Sequence, residues 1–227
     1  MPLKSLFAYS FQSFYLAGSF LLLFIFLPSF YNLSVGFALS TIGMIILISR
    51  VFDVFSDFFI GYFTEKRFIK GLPKKNQILL GIFIFIFSII GLYVIQPDNH
   101  YWFIFYYNLA LISYSIAIIP YDSIVIDQKK IQHRRFYIAA TKEIFTILGV
   151  LAALIIPTAL SKTLSVNLLN QEVIKITGLI IIILAVIGSF LFYLFFEEDN
   201  EFHSKFISFN DLKIYFHQNK KILPFAV

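Results

Sequence analysis

The chain has 227 residues, of which 59% are hydrophobic and 14% are charged, and its mean hydropathy is +0.83. A soluble domain carries about 25% charged residues, so this composition excludes an ordinary soluble protein and predicts an integral membrane protein. The net charge of +5 comes from basic residues at the ends of apolar runs, which indicates membrane topology and not nucleic-acid binding. The absence of cysteine excludes disulfides, thiolate metal sites and thiol nucleophiles.

Six apolar stretches follow one another along the chain, each long enough to cross a bilayer as an α-helix of about 20 residues. The first is too long for the core of a signal peptide, so we expect it to remain as an uncleaved span. The predicted class is therefore an all-α integral membrane protein with six transmembrane helices. The predicted spans are 6–31, 38–63, 77–95, 101–126, 136–160 and 174–196.

Lysine and arginine are distributed unevenly over the predicted loops. The loops after the second and fourth spans contain five and four of them, those after the first and third contain none, and the loop after the fifth contains only Lys162. The positive-inside rule then predicts a multi-pass protein of the cell (inner) membrane with both termini in the cytoplasm. Residues 1–196 are predicted to form the transmembrane bundle, 197–221 a cytoplasmic central loop, and 222–227 the start of a seventh apolar segment.

The second span carries three charges on one face of a predicted helix. At 100° per residue, Arg50, Asp53, Asp57 and Gly61 fall within an arc of about 80°, and apolar residues cover much of the rest. Each such charge costs about 2.5–3.5 kcal/mol near the bilayer midplane unless it is compensated. Two interpretations follow: a structural ion pair between Arg50 and Asp53 that pins the helix to its neighbours, or a functional site for an ion.

Further ionisable groups lie on the fourth and fifth spans. Counting residues from the predicted cytoplasmic helix ends places four of them in one layer, with Arg50 and Asp53 about 6–10 Å deeper. Such a column fits an ion or proton pathway, and it also fits an internal salt-bridge gate. The alternative is that one of them lies at the interface and another extends to the headgroups. The four residues of the layer are Asp57, Asp122, Lys142 and Glu143.

The fourth span also has a polar side, which we expect to line a cavity for a solute. Tyrosine and serine are equally common where membrane helices pack together, so helix packing is the alternative interpretation. The predicted cavity residues are Tyr107, Asn108, Tyr114 and Tyr121.

Residues 46–53, together with Asp57 and Gly61, resemble the second helix of the glycoside-pentoside-hexuronide cation symporters, the melibiose-transporter branch of the major facilitator superfamily. Residues 119–121, followed by a basic pair and Lys142, are similar to that family's stretch from helix four into helix five. Residues 219–225 look like its central loop entering helix seven. The resemblance covers nearly all of this chain but only about the first half of a twelve-helix member.

The resemblance implies a fold of two inverted three-helix repeats, the N-terminal half of a major facilitator fold. It also implies that Asp53 and Asp57 hold a coupling cation, Na+ or H+, with Arg50 as their electrostatic partner. The chain departs from the family at sugar-recognition positions, because the acidic residues expected on helices one and four fall at Ala17 and Ile118.

The predicted function is therefore the N-terminal half of a cation-coupled secondary transporter for a sugar or another small polar solute, working by alternating access. Its expected partners are the lipid bilayer, the solute, and a C-terminal half or a second copy. The alternatives are a non-transporting six-helix scaffold or accessory subunit, or a truncated inactive remnant. An enzyme, a metal site and a cofactor are not predicted, because the sequence contains no paired histidine ligands, nucleophile–base set or phosphate loop.

Overall fold

A computed structural model describes residues 3–66, 73–127 and 132–196 of the chain. The predicted central loop at 197–221 and the predicted apolar segment at 222–227 lie outside the described residues. Within the described part there are six long helices and no strand. The helices are α1 (Leu3–Val35), α2 (Leu39–Lys66), α3 (Lys74–Ile95), α4 (His100–Asp127), α5 (Gln132–Leu164) and α6 (Gln171–Phe195).

All six helices are long and apolar enough to cross a membrane, which confirms the predicted fold class. Several helices extend further than predicted. Helix α1 continues to Val35, where a connector was predicted from Asn32, and α5 begins four residues earlier and ends four residues later than predicted. Hydropathy marks only the part of a helix that lies in the hydrocarbon core, whereas the hydrogen-bonded helix continues into the polar interface.

The helix termini define two ends of the bundle, because each helix runs opposite to the one before it. The short-connector end holds Val35, Leu39, Ile95, His100, Leu164 and Gln171. The basic-loop end holds Leu3, Lys66, Lys74, Asp127, Gln132 and Phe195.

Three segments of α1 and α3 are π-helical, namely Leu22–Phe26, Tyr31–Val35 and Ile90–Ile95. The first lies directly before Pro28, which has no N–H group to continue the helical ladder. A wider turn accommodates the proline ring, and the Ser29 hydroxyl donates a hydrogen bond to the Ile25 carbonyl in the same region. Helix α1 therefore passes its internal proline without ending.

The helices pack by the same scheme in the two halves of the bundle. Helix α1 packs against α5 and α6, while α4 packs against α2 and α3, and α3 also packs against α6. Exchanging the first three helices for the last three maps one set of contacts onto the other. Because three membrane crossings separate α1 from α4, the two triplets have opposite orientations, as in two inverted three-helix repeats.

Glycines lie at two close helix crossings. Where α1 meets α5, a Cβ atom added to Gly149 would lie 1.9 Å from the Phe14 carbonyl oxygen, and one added to Gly18 would lie 2.8 Å from that of Gly149. Where α3 meets α4, a Cβ atom on Gly81 would lie 2.6 Å from the Ala117 nitrogen. Small side chains at such contacts let membrane helices approach closely, so α1 packs tightly on α5 and α3 packs tightly on α4.

Helices α2 and α5 are the two that contribute least buried surface to the bundle, and their outer faces are apolar and exposed. On α2 this face carries Val51, Phe52, Val54, Phe55, Phe58 and Phe59. The opposite face of α2 carries the charged residues, as the helical periodicity predicted.

Candidate functional site

Arg50 and Asp53 form an ion pair within α2. The Nη1 atom of Arg50 donates to Oδ2 of Asp53 at 2.9 Å. The aspartate side chain is only 11% exposed, whereas the arginine side chain is 42% exposed. The two residues are one turn apart on the same helix, so their pairing does not tie α2 to another helix.

The guanidinium group of Arg50 lies against aromatic rings of α1. It is 3.9 Å from the ring centroid of Phe24 and 5.5 Å from that of Phe20. A guanidinium over an aromatic face is attracted by the ring quadrupole, most strongly where water is scarce. The arginine is thus held at the α1–α2 contact without a second carboxylate.

Asp57 lies one turn beyond Asp53 on the same face of α2. Its Oδ1 atom is buried and has no hydrogen-bond partner among the described residues. Asp53 interacts electrostatically with it, and two carboxylates at this spacing repel each other unless a cation lies between them. A buried carboxylate oxygen without a donor is a ligand atom available to such an ion.

Helix α4 completes the surroundings of Asp53. The Ser115 hydroxyl lies 3.5 Å from Oδ1 of Asp53, at the outer limit of a hydrogen bond. At 1.5 Å per residue from the short-connector end, Asp53 is about 21 Å deep and Ser115 about 22 Å. The carboxylate therefore lies near the middle of the bundle, between α2 and α4.

A second ion pair joins α4 to α5. The Nζ atom of Lys142 donates to Oδ1 of Asp122 at 2.6 Å, and the lysine lies 5.4 Å from the ring centroid of Tyr121. Asp122 is half exposed, whereas the lysine side chain is 18% exposed. Two members of the predicted layer are thus in contact, and neither makes an ion pair with Asp57 within the described part of the chain.

Glu143 follows Lys142 on α5, and the two side chains diverge. Glu143 is exposed, whereas Lys142 is partly buried between α4 and α5. Adjacent helical positions differ by about 100°, which accounts for the difference. The structure brings Asp122 and Lys142 together and leaves Glu143 on the outer surface of the bundle.

Tyr121 joins α4 to α1 through a reciprocal pair of hydrogen bonds. Its hydroxyl donates to the Tyr9 carbonyl at 2.9 Å, and the Tyr9 hydroxyl donates to the Tyr121 carbonyl at 3.0 Å. The two rings stack with centroids 4.4 Å apart. The pair is fully buried, so Tyr121 packs two helices together in this conformation.

The other predicted cavity residues occupy different environments. Tyr107 is fully buried, and its hydroxyl has no partner among the described residues. Asn108 donates to the Ile104 carbonyl of its own helix at 2.9 Å. Tyr114 is partly buried with its ring 4.9 Å from that of Phe20. Their role in lining a solute cavity stays a prediction.

Sequence reasoning missed the contributions of α1. Phe24 and Phe20 hold the arginine, and the Ser13 hydroxyl donates to the Lys142 carbonyl at 2.9 Å. Phenylalanine and serine in an apolar run carry no pattern that separates such contacts from ordinary packing. The sequence offers one indication of the contact. Counted at 1.5 Å per residue, Phe24 and Arg50 both lie about 16 Å from the short-connector end.

Together these residues can bind a small cation. Two carboxylates share one face of α2, one of their oxygens is free of donors among the described residues, and the Arg50 guanidinium pairs with the nearer carboxylate. A cation that binds Asp53 and Asp57 would compete with Arg50 for Asp53.

Comparison with known proteins gives two matches. A family model described as MFS/sugar transport protein matches residues 8–217 of the chain. The glucuronide carrier protein homolog of Escherichia coli (strain K12) is 26% identical over 185 residues, which cover 78% of this chain and 39% of that protein. The chain therefore spans less than half the length of the curated relative that it matches.

Proposed function

We propose, from the premise that the chain belongs to the MFS/sugar transport protein family, that it is the N-terminal half of a cation-coupled symporter. The symporter would carry a sugar or another small polar solute by alternating access. The coupling ion would be Na+ or H+, bound by Asp53 and Asp57. No enzymatic step is part of this proposal.

The observation that carries the proposal is the geometry of the three charges on α2. A structural pin would join two helices, but the pair of Arg50 with Asp53 lies within one helix. Asp57 adds a second carboxylate whose Oδ1 is buried without a donor. Two carboxylates near the middle of a membrane bundle are expensive, and an ion that neutralises them lowers that cost.

The coupling follows from that neutralisation. With the site empty, moving the charged face of α2 between two orientations carries net negative charge past apolar surroundings. With a cation on Asp53 and Asp57 the face is closer to neutral, so the change of orientation becomes easier. The cation and the solute would then move together.

The pair of Asp122 with Lys142 is proposed as a gate, with Glu143 as a third charged group on the same segment. This pair bridges α4 and α5, so any separation of these helices breaks a 2.6 Å contact. Arg50 would act as electrostatic partner of the cation site. Alternation between open and closed states would make and break the α4–α5 contact.

The proposed solute path lies along α4, where Tyr107, Asn108, Tyr114 and Tyr121 would line a cavity. The curated relative is named a glucuronide carrier homolog, which supports a sugar-type solute. We propose a multi-pass protein of the cell membrane, with both termini and the basic-loop end on the cytoplasmic side, in agreement with the positive-inside rule. A C-terminal half or a second copy would face α2 and α5.

The test is uptake of a radiolabelled alkyl glucuronide into membrane vesicles that contain the chain together with the half or second copy that faces α2 and α5, with and without an imposed Na+ or H+ gradient. Uptake driven by one gradient is expected for the natural sequence. Asp53→Asn and Asp57→Asn are expected to reduce gradient-driven uptake to the level of empty vesicles. Asp98→Asn is the matched control, because it removes an exposed carboxylate from the connector between α3 and α4.

Uptake at the natural rate in both Asn variants would contradict the assignment of the cation site. A scaffold is the second candidate, favoured by the pair of Asp122 with Lys142, which does join two helices. Replacing Arg50, Asp53 and Asp57 together with apolar residues of similar volume separates the candidates. A scaffold keeps its assembly after this change, whereas a transporter loses flux.

A further inference from the structure

Two buried tyrosine hydroxyls in one cluster of the core have no partner among the described residues. Tyr93 on α3 and Tyr107 on α4 are both fully buried. Neither hydroxyl oxygen has a hydrogen-bond partner among the described residues. Tyr31 belongs to the same cluster of buried side chains, but its hydroxyl donates to the Leu92 carbonyl at 3.0 Å. The missing partners are therefore a property of two particular hydroxyls.

Leaving a buried hydroxyl without a partner costs about 1–3 kcal/mol, so two orphans in one cluster call for an explanation. The rings themselves are well packed. The ring centroids of Tyr107 and Phe103 are 5.6 Å apart. A Cβ atom added to Gly178 would lie 2.3 Å from the Cβ atom of Tyr93. Tight packing of the rings keeps the hydroxyls in place whether or not they are bonded.

Tyr107 and Arg50 flank the same aromatic ring. The guanidinium lies 3.9 Å from the Phe24 centroid, and the Tyr107 ring meets Phe24 edge-on at 6.3 Å. Tyr107 interacts electrostatically with Arg50, and Tyr93 interacts with Tyr107. The Tyr107 hydroxyl and the guanidinium are thus neighbours on either side of Phe24, and Tyr93 is a neighbour of Tyr107.

Arg50 has donors to spare. A guanidinium carries five N–H donors and no acceptor, and Asp53 is the only described residue to which Arg50 donates a hydrogen bond. A phenol oxygen is a neutral acceptor. It can accept hydrogen bonds from the guanidinium, and it does not compete with the carboxylates for the cation. The two orphan hydroxyls and the spare donors are chemically complementary.

We propose that the hydroxyls of Tyr107 and Tyr93 form a second docking site for the Arg50 guanidinium, which it occupies when Asp53 is neutralised. The inference rests on the proposed function in one respect, because the neutralising agent is then the coupling cation. Arg50 pairs with Asp53 in the empty state and turns past Phe24 to the hydroxyls in the loaded state. Tyr107 and Tyr93 are positioning residues for this exchange.

The exchange has a physical advantage for the cation. Without an alternative acceptor, a cation that displaced Arg50 from Asp53 would leave a guanidinium unpaired in the bundle. With the hydroxyls in reach, the arginine exchanges one set of hydrogen bonds for another. The buried orphans of the empty state are then the unused acceptors of the loaded state.

The test replaces cation binding by a permanent neutral side chain, so it does not depend on transport. Asp53→Asn imitates the loaded state, and in that background the arginine is expected to bond to the hydroxyls. Tyr107→Phe keeps the ring and deletes the acceptor. The measurement is the unfolding equilibrium of the purified full chain in one detergent, for Tyr107→Phe in the natural background and in the Asp53→Asn background.

We expect Tyr107→Phe to favour unfolding about tenfold in the Asp53→Asn background, the effect of losing one hydrogen bond to a charged group. In the natural background it should be neutral or stabilising, because an unbonded hydroxyl is removed. Tyr93→Phe should behave in the same way with a smaller effect. Tyr31→Phe is the matched control, since it loses its bond to Leu92 equally in both backgrounds.

Equal effects of Tyr107→Phe in the two backgrounds would overturn the docking site. Adding Arg50→Met to the Asp53→Asn background supplies a second check, because without a guanidinium the Tyr107→Phe effect must disappear. Persistence of the effect in that triple variant would also overturn the proposal. If Tyr107→Phe is destabilising only in the Asp53→Asn background but no cation drives uptake, the docking site stands and the symporter assignment is contradicted.

Discussion

Two ion pairs in the described part of the chain differ in what they connect. Arg50 and Asp53 lie on one helix, near mid-depth, with the carboxylate mostly buried. Asp122 and Lys142 lie on two helices, with the carboxylate half exposed. An intrahelical pair cannot respond to relative movement of helices, but an ion can break it. An interhelical pair breaks when the two helices separate, and its function depends only on the attraction between its two charges.

This difference predicts opposite results for reversing the charges. Exchanging Arg50 and Asp53 with each other restores an ion pair but places a cation where the proposed ligand was, so uptake should fall to background. Exchanging Asp122 and Lys142 should retain most of the natural uptake, because only their mutual attraction is used. The measurement is gradient-driven solute uptake by each of the two double variants. Equal loss in the two exchanges would remove the distinction between site and gate.

Cross-linking tests whether α4 and α5 must separate during transport. The chain has no cysteine, so Asp122→Cys with Lys142→Cys provides a single reactive pair. A short bifunctional thiol reagent should stop uptake, because it prevents α4 and α5 from separating, and a cleavable reagent should restore uptake on reduction. The same treatment of Thr158→Cys with Lys162→Cys, two exposed positions one turn apart on α5, is a reagent control within one helix. Undiminished turnover of the cross-linked α4–α5 pair would show that this contact does not open.

A smaller effect is expected from the aromatic contact that holds Arg50. Phe24→Leu removes a ring whose centroid is 3.9 Å from the guanidinium, whereas Phe20→Leu removes one at 5.5 Å. A cation–π contact is worth about 0.5–2 kcal/mol, and the closer ring should contribute the larger share. The half-saturating cation concentration for uptake should therefore change more for Phe24→Leu. The reverse order would mean that the arginine rests elsewhere.

The smallest effect is expected from Ser115→Ala. Its hydroxyl lies 3.5 Å from Oδ1 of Asp53, which is long for a hydrogen bond. Losing it should weaken cation affinity by about threefold, which corresponds to roughly 0.6 kcal/mol. Ser113→Ala is the matched control, because that buried hydroxyl donates to the Ala110 carbonyl of its own helix. A tenfold loss for Ser115→Ala would make the serine a principal ligand.

The sequence predicted the features that depend on one helix. Six spans follow from hydropathy, and the charged stripe of α2 follows from its 3.6-residue period, since both are properties of contiguous residues. Counting residues from the helix ends placed Asp122 and Lys142 in one layer, and the structure shows them in contact. The same count also placed Asp57 and Glu143 in that layer, where they do not join the pair. Depth gives one coordinate and says nothing about the rotation of each helix.

What could not be predicted depends on contacts between apolar runs. The role of Phe24 beside Arg50 requires the crossing of α1 and α2, which no periodicity encodes. The first span was predicted to continue past Pro28 to residue 31, but the π-helical turn that accommodates the proline was not predicted. The lack of partners for the hydroxyls of Tyr93 and Tyr107 among the described residues depends on the positions of groups on several helices, which the sequence does not specify.

The most direct test of the cation site measures binding on the chain itself. The thermal unfolding midpoint of the purified protein is followed as Na+ is raised, and separately as pH is lowered, for the natural sequence, Asp57→Asn and the control Asp98→Asn. A ligand at 100 times its dissociation constant stabilises the folded state by about 2.7 kcal/mol. We expect the midpoint to rise with one of the two ions in the natural chain and in Asp98→Asn, and to stay constant in Asp57→Asn. An equal rise in all three proteins would contradict a cation site at Asp53 and Asp57.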